Sequence, residues 1–228
     1  MKLSDRTLSI LKNFSTINQS IVIPEGNTLA VVAPGNNILG RAIVDDYFPT
    51  QLAIYDLNKF LGAVSLLNEP EFSFDEDHVI KMHNGPTTIR YACADDYLIN
   101  HPPQEAPKLP EPVFSSNEMS SHVLTQLMKA ASVMKLEDIT LKGRGGKMQL
   151  IAHNTDNPSA DQYCIDLDDV AFDCDITLNI NNLKVHTGAD YQLNVHELQN
   201  GVVLISAHAQ QEGELMYVIS SESGSKIR

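Results

Sequence analysis

Apolar residues recur at helical spacing near the start of the chain. Leu11, Phe14 and Ile17 fall on one side of a helical projection of residues 4–18, whereas polar residues fall on the other. Ser4 stands where its side chain would cap free backbone N–H groups. The pattern therefore predicts an amphipathic helix over residues 4–18.

Short apolar stretches after this helix predict strands. Residues 21–23 and 29–32 flank a segment with Pro24 and Gly26, which is typical of a turn, so we expect these two stretches to form a hairpin. A second, shorter helix is predicted over residues 56–67. Three further strands are predicted after it, at residues 71–74, 79–82 and 87–93.

Proline interrupts the pattern in the middle of the chain. Residues 101–112 contain five prolines in twelve positions, which favours an extended and fairly stiff connector over any regular ladder. This connector predicts two domains, residues 1–109 and residues 110–228. A proline-rich surface loop inside one domain is the alternative interpretation.

The order of elements begins again after the connector. A helix is predicted over residues 116–135 and a short helix over 179–186. The strands predicted around these helices are residues 139–142, 147–153, 191–195, 201–207 and 215–220. The glycine-rich segment from Gly143 to Gly146 is predicted to form the turn between the first two of these strands.

Comparing the halves by offset indicates a structural duplication. A shift of 117 positions places Ile10 to Lys12 on Leu127 to Lys129, and a shift of 123 places Leu57 and Asn58 on Ile180 and Asn181. The difference between the shifts fits a longer loop within residues 154–161, because surface loops tolerate insertions. We therefore predict a duplicated α+β fold.

The charge of the chain is strongly acidic but unevenly distributed. The formal net charge is −13, which argues against binding nucleic acid through one large basic face. The four predicted helices nevertheless carry six cations against Asp5, Asp56 and Glu118, which leaves +3 on the helices and −16 elsewhere. Ordinary solvation of exposed helix lysines is the alternative explanation.

The composition argues against a membrane protein and against a disulfide-bonded one. Hydrophobic residues make up 43% of the chain, enough for a core, but no run is long enough to span a bilayer and no signal peptide is recognisable, so we expect a soluble intracellular protein. The three cysteines, Cys93, Cys164 and Cys174, are expected to be buried free thiols.

Candidate catalytic and metal-binding patterns are weak. The acidic run from Asp161 to Asp175 could suggest a hard-metal site, but its alternation with apolar residues fits an exposed strand edge better. The chain has no zinc-binding histidine or cysteine pair, nucleotide-binding loop or nucleophile elbow. We therefore expect a protein that is not an enzyme and that has no cofactor or bound metal.

Several short segments resemble a known family. The sliding clamps of T-even-type bacteriophages, which are DNA polymerase processivity factors, are similar to this chain at Met1 to Ser4, Leu11 to Phe14, Thr16 to Asn18, Ala53 to Asn58 and Phe60 to Gly62. Chain length and element order also agree. Beyond about residue 70 the resemblance is mainly one of pattern.

The resemblance implies a fold and a set of partners. It implies a homotrimeric ring of two similar clamp-type domains per chain, with helices lining the hole, antiparallel sheets outside and double-stranded DNA passing through. It also implies an ATP-dependent clamp loader, a replicative DNA polymerase tethered by its C-terminal peptide, and late-transcription factors with host RNA polymerase. The place of action would be the cytoplasm of the infected bacterial host.

The resemblance also suggests candidate sites. The helix cations map to the DNA-facing lining of the ring, without base readout: Arg6, Lys12, Lys59, Lys129, Lys135 and Lys184. Beside the connector, Leu109, Val113 and Phe114 are candidates for a pocket that binds partner peptides, unless they simply pack on their own sheet. Two alternatives remain open at this point, a duplicated α+β binding module without DNA function and an acidic metal-dependent hydrolase.

Overall fold

The computed structural model describes residues 1–103, 105–157, 159, 161–169, 172–211 and 214–228, apart from the side chains of residues 118, 168 and 169. The chain divides into two units. Unit 1 contains residues 1–106 with 213–215, and unit 2 contains residues 107–212 with 216–228. The predicted domain boundary, after residue 109, lies three residues beyond the observed division after residue 106. The sequence did not predict that residues 213–215 belong to unit 1.

Unit 1 is built from antiparallel strands and two helices. Strand β1 pairs with β4, β2 pairs with β3, and β5, β6 and β7 form a three-stranded sheet. The bounds are α1 Asp5–Ile17, β1 Ile21–Ile23, β2 Gly26–Val32, β3 Ile38–Phe48, β4 Leu52–Ile54, α2 Leu57–Ser65, β5 Glu71–Glu76, β6 Val79–Asn84 and β7 Thr87–Ala92, followed by a 3₁₀ turn at Asp96–Leu98.

Unit 2 has two antiparallel sheets and one α-helix among its described residues. One sheet has the order β11-β10-β9-β12-β16, and in the other β15, β14, β13 and β8 are consecutive neighbours. The bounds are β8 Phe114–Met119, α3 Ser121–Met134, β9 Asp138–Arg144, β10 Lys147–His153, β11 Tyr163–Asp169, β12 Cys174–Asn179, a 3₁₀ turn at Ile180–Asn182, β13 Tyr191–Glu197, β14 Val203–Ala209, β15 Leu215–Ser220 and β16 Lys226–Ile227.

The strand pairings repeat between the units. Strand β1 pairs with β4 as β9 pairs with β12, and the β5-β6-β7 sheet repeats the β13-β14-β15 order. The N-terminal amine of Met1 donates to the Phe72 carbonyl at 2.7 Å, and the Phe72 N–H donates back to the Met1 carbonyl at 2.6 Å. The first residue thus adds to β5 as β8 adds to β13, which agrees with the predicted α+β duplication.

Helix α1 forms as the sequence predicts. The Ser4 hydroxyl accepts from the Thr7 N–H, and the helix buries Ile10, Leu11, Phe14 and Ile17. Its opposite side is exposed. A 3.6-residue period of apolar positions produces this single buried face.

The predicted hairpin of residues 21–23 with 29–32 is wrong. All three residues of β1 are buried, and its hydrogen-bonded partner is the equally buried β4, about thirty positions later. Strand β2 instead pairs with β3, an eleven-residue strand that the sequence reading missed and in which buried and partly exposed positions alternate. Burial of β1 and β4 on both faces outweighs the local turn propensity of Pro24 and Gly26.

The predicted start of the third helix is also wrong. Residues 114–119 form β8, which pairs with β13, and α3 begins only at Ser121. The Ser120 hydroxyl accepts from the Val123 N–H and caps the helix there. Position 118, which was assigned to this helix in the charge count, therefore lies on a strand.

The predicted fourth helix does not form. Among the described residues the region contains one 3₁₀ turn, Ile180–Asn182, after which Leu183 leaves helical geometry with φ −87° and ψ 62°. The N–H of His186 then donates to the Tyr217 hydroxyl at 3.2 Å rather than to a carbonyl four residues earlier. Packing against a buried tyrosine replaces helical hydrogen bonding in this segment.

Two smaller predictions have mixed outcomes. Gly145 and Gly146, with φ of 57° and 85°, connect β9 to β10 between the paired residues Arg144 and Lys147, as the predicted turn requires. All three cysteines are free, but only Cys174 is buried, and Cys164 is exposed because it lies on the edge strand β11. None of the described helices has the length and apolar character needed to cross a membrane.

Candidate nucleic-acid interface

Lys12 lies on the exposed side of α1, directly beside the buried Leu11 in sequence but on the other face of the helix. Its ammonium group makes no ion pair with any acidic residue that the structure describes. A helix backed by the apolar core thus presents an uncompensated positive charge to solvent.

Lys59 occupies the exposed side of α2. Its backbone N–H donates to the Asp56 carboxylate at 2.8 Å, which caps the helix, while its ammonium group has no described ionic partner. Helix α2 packs beside α1 in unit 1. Lys12 and Lys59 therefore belong to adjacent helices of the same unit.

Lys129 is the counterpart of Lys12 in unit 2. Helix α3 buries Leu124, Leu127 and Ala131 and leaves Lys129 exposed. Shifting the buried positions 7, 10 and 14 of α1 by 117 gives these three residues, and the same shift places Lys12 on Lys129. The burial pattern thus gives the same alignment as the sequence offset, although the capping serines are 116 positions apart.

Arg6 has a different environment from the helix lysines. It is half-buried, and its guanidinium donates to the Ile43 carbonyl on β3 at 2.9 Å. Part of its donor capacity is therefore used inside unit 1.

The last two candidates lie outside regular helix. Lys135 ends α3 in a left-handed conformation with φ 55° and ψ 45°, and its side chain is exposed. Lys184 was expected on a fourth helix, but it is half-buried in the irregular segment after the 3₁₀ turn. Within unit 1 the structure brings Arg6, Lys12 and Lys59 together on adjacent helices. In unit 2, Lys129 lies on α3 and Lys135 directly follows its last residue.

Some strand cations have ionic neighbours that the helix lysines lack. The three α-helices carry four cations against Asp5, a formal charge of +3, which leaves −16 for the rest of the chain. On strands β6 and β7, Lys81 and Arg90 lie 2.6 and 3.3 Å from the Glu76 carboxylate. Hydrogen bonds from these two cations hold the pKa of Glu76 below its usual value. The two strand cations share this one carboxylate and are partly compensated by it, whereas the helix lysines have no such described neighbour.

The acidic run of unit 2 lies partly at a sheet edge. Asp166 is on β11, the outermost strand of its sheet, and accepts from the Gln149 amide at 2.7 Å. Asp173 and Asp175 both contact the Arg144 guanidinium. In the described part of the chain no three acidic, histidine or cysteine side chains are placed to share a metal ion.

The candidate peptide-pocket residues lie where the connector enters unit 2. Leu109 is half-buried and Val113 is 46% exposed. Phe114 packs edge-to-face on Phe172 with ring centroids 5.7 Å apart. Phe114 is thus partly engaged within its own unit, whereas Val113 presents its side chain to solvent.

Cavities lie elsewhere in both units. A cavity of about 30 Å³ in the apolar core of unit 2 has room for little more than a water molecule. In unit 1 an open cleft of about 330 Å³ is bordered by Asp77, Asp95, Asp96 and the 78%-exposed Tyr97. The sequence reading missed this cleft, whose only local signal is the acidic and aromatic run at residues 95–97.

Known proteins similar to this chain include curated phage sliding clamps. The sliding clamp of Enterobacteria phage T4 is 32% identical over 202 residues, covering 85% of this chain and 86% of that protein. That of Escherichia phage RB69 is 27% identical over 232 residues, covering 99% and 98%. That of Vibrio phage KVP40 is 26% identical, covering 86% and 90%. No protein-family model matches the chain.

Solved structures share the fold. The PCNA of A. fulgidus, solved with the C-terminal region of FEN-1 bound, has a TM-score of 0.68 at 13% identity, with 96% of each chain covered. The Entamoeba histolytica protein has a TM-score of 0.67 at 11% identity, with 95% of this chain and 94% of that chain covered. These likenesses confirm the predicted clamp-type α+β fold. The T4 relative, which is 32% identical across most of both sequences, shows that this chain belongs to the DNA sliding clamp family, as a clamp of the T-even-type bacteriophage kind.

Proposed function

We propose that three copies of this chain close into a ring around double-stranded DNA and tether the replicative DNA polymerase for processive synthesis. The observation that carries the proposal is the pair Lys12 and Lys129. They occupy equivalent positions on the exposed faces of α1 and α3, without described ionic partners, in a chain of net charge −13. Such faces would line the hole of the ring.

Enclosure accounts for the modest positive charge of these faces. A ring retains DNA by topology, so the lining needs only to avoid repelling phosphates and needs no base contacts. Many tight phosphate contacts would oppose sliding and make binding strongly salt-dependent. The four helix cations, with Lys135 and Lys184, supply a mild attraction, and the acidic remainder disfavours DNA on the outer surface.

Ring closure requires surfaces that join one copy to the next. Strands β7 and β11 each end a described sheet and could pair between copies. We assign these strand edges to the contacts of a homotrimer, because pairing between copies would satisfy the backbone groups that one copy leaves to water.

The proposed protein partners meet the outer surface of the ring. A clamp loader would open the ring with its own ATP, and the polymerase would be held through its C-terminal peptide. Late-transcription factors and host RNA polymerase would use the same clamp, in the cytoplasm of the infected host. The chain itself would act as a non-catalytic tether without a cofactor.

Leu109, Val113 and Phe114 remain our candidates for the peptide pocket. Exposure of Val113 beside the half-buried Leu109 offers an apolar contact next to the connector. The PCNA of A. fulgidus was solved with the C-terminal region of FEN-1 bound, so a protein with this fold does accept a C-terminal segment. That precedent supports peptide capture by this chain.

The deciding experiment is retention on circular DNA. Labelled clamp is loaded onto a nicked circle with clamp loader and ATP, and bound clamp is separated by gel filtration at moderate salt. We expect retention that is lost when a restriction enzyme linearises the circle, because a ring slides off free ends. Retention that survives linearisation, or the absence of any retention, would contradict encirclement.

Solution mass separates the alternatives. A trimer is expected with or without a divalent ion. A monomer that neither loads nor binds DNA would favour the duplicated binding module. Metal-dependent hydrolysis abolished by substitutions in the run from Asp161 to Asp175 would favour the hydrolase.

A further inference from the structure

A buried histidine contacts the connector from inside unit 2. His196 on β13 is 5% exposed, and its Nδ1 lies 2.8 Å from the Pro110 carbonyl oxygen. Its Nε2 lies 2.9 Å from the hydroxyl of Ser206 on β14, which is fully buried. One imidazole therefore joins the connector to the interior of the sheet.

The partners of His196 determine where its proton lies. A carbonyl oxygen can only accept, so Nδ1 must carry the hydrogen that reaches Pro110. In the neutral imidazole Nε2 is then an acceptor and receives the Ser206 hydroxyl proton. The Ser206 oxygen in turn accepts from Asn194 Nδ2 at 3.4 Å and lies 3.1 Å from His208 Nε2.

The network continues to the strand that follows the connector. Asn194 accepts from the Ser115 hydroxyl through its side-chain oxygen at 2.7 Å. The hydrogen bonds run from the Ser115 hydroxyl through Asn194, Ser206 and His196 to the Pro110 carbonyl. One assignment of the protons gives each of these groups a partner. His196, Ser206 and Asn194 are buried, whereas Pro110 and Ser115 are exposed residues. The network favours one geometry, because withdrawal of an outer member would leave a polar atom of a buried side chain without its partner.

The connector needs such a contact because of its prolines. Pro107, Pro110 and Pro112 have no N–H to donate to a ladder, so this stretch cannot be held by ordinary strand pairing. Regular backbone bonding to β13 begins only at Val113, whose N–H donates to the Val195 carbonyl at 2.8 Å. Before Val113, the His196 side chain donates a hydrogen bond to the Pro110 carbonyl and so holds the proline-containing stretch.

We propose that His196 is a positioning residue that locks the connector at Pro110 and so sets the geometry in which Leu109 and Val113 meet a partner peptide. The inference rests on the proposed function, since it assumes that peptides bind beside the connector. His196 itself is buried and acts through the connector, without touching the peptide. Its contribution is to keep the site preformed, which lowers the ordering cost of binding.

Two substitutions separate the two contacts of His196. The amide nitrogen of asparagine can take the place of Nδ1, so His196→Asn retains a donor to Pro110 and loses the Ser206 contact. The longer glutamine places its amide near Nε2, so His196→Gln retains the Ser206 contact and loses the donor to Pro110. The readout is hydrogen exchange of the Val113 amide in the clamp alone.

We expect His196→Gln to speed Val113 exchange roughly two- to tenfold, the factor that corresponds to one typical hydrogen bond, whereas His196→Asn stays close to wild type. The internal control is the Gln210 amide, which bonds to the Asp190 carbonyl at the other end of β13 and β14. The proposal would be overturned if Val113 exchange were equally faster in both variants or unchanged in His196→Gln. It would also be overturned if Gln210 exchange rose as much as Val113 exchange, because the effect would then not be local to the connector.

A binding titration then tests the link to function. A fluorescent peptide copied from the C-terminus of the replicative polymerase is titrated into each variant. We expect weaker binding by His196→Gln and rescue by His196→Asn. Unchanged affinity despite faster Val113 exchange would overturn the positioning role. Failure of the wild-type clamp to bind would count against the proposed function, and the exchange result would still report on the lock.

Discussion

The Tyr217 hydroxyl and the backbone of His186 are joined by a 3.2 Å hydrogen bond in which the N–H donates. The Tyr191 hydroxyl donates to the carbonyl of the same residue at 2.7 Å. The two tyrosine rings meet edge-to-face with centroids 6.0 Å apart, and both are fully buried. Together they satisfy both backbone groups of His186 and hold the irregular segment that contains Lys184.

Tyr217→Phe should destabilise the protein by about 1–3 kcal/mol, because the N–H of the half-buried His186 loses its acceptor. The ring and its packing against Tyr191 remain, so the loss reports on the hydroxyl. Urea unfolding at one fixed protein concentration measures the change. As a control for removal of an exposed hydroxyl, Tyr97→Phe should leave the midpoint nearly unchanged. A Tyr217→Phe protein as stable as wild type would contradict this account of the segment.

Stability should decline at alkaline pH for the same reason. Burial raises the pKa of both Tyr191 and Tyr217 well above the ordinary value of 10.0. The unfolded chain releases these protons near pH 10, while the folded chain retains them, so the contribution is complete below that pH and is lost as pH rises towards the folded values. Each tyrosine should contribute a slope of up to about 1.4 kcal/mol per pH unit.

The measurement is the free energy of unfolding from about pH 9 to about pH 11, compared between wild type and the double variant Tyr191→Phe/Tyr217→Phe. The double variant should have the flatter profile. Identical slopes would show that other groups dominate the alkaline loss.

Replacing Lys12 and Lys129 together by glutamate should reduce loader-dependent processive synthesis while leaving the trimer intact. Six glutamates, two from each of the three copies, would then face the phosphates, which raises the electrostatic cost of enclosing DNA. Product length on a primed circular template gives the processivity, and light scattering gives the mass.

The matched control reverses two exposed lysines on strands. Lys147→Glu/Lys226→Glu changes the net charge by the same amount but leaves α1 and α3 untouched. Its processivity should stay close to wild type. Equal losses in the two double variants would trace the effect to net charge, and unchanged processivity in the helix variant would refute the lining assignment.

The two capping serines should differ in their effect. Ser120→Ala removes a cap from α3 and should cost about 1 kcal/mol. Ser4→Ala should cost more, because the Ser4 hydroxyl both caps α1 and donates to Asp46 at 2.7 Å. Urea midpoints of the two variants give the comparison, and equal losses would mean that the Asp46 contact adds nothing.

Much of the candidate site could be predicted from local pattern. The exposed positions of Lys12 and Lys129 follow from the apolar period of their helices, and the equivalence of the two positions follows from the repeat offset. The environment of Arg6 could not be predicted, because its acceptor, the Ile43 carbonyl, lies 37 residues away on a strand that the pattern missed. The His196 contact with Pro110 spans 86 residues and was equally hidden.

The sequence by itself determined the helices α1, α2 and α3, the faces they bury, the tight turn at Gly145 and the duplication. These features depend on hydrogen bonds and burial that repeat within a few residues, so the order of side chains encodes them directly. Tertiary structure alone decided that β1 pairs with β4, that β8 precedes α3, and that residues 183–189 remain irregular around Tyr217. Strand partners and buried acceptors come from distant parts of the chain, and at these sites their packing outweighs local propensity.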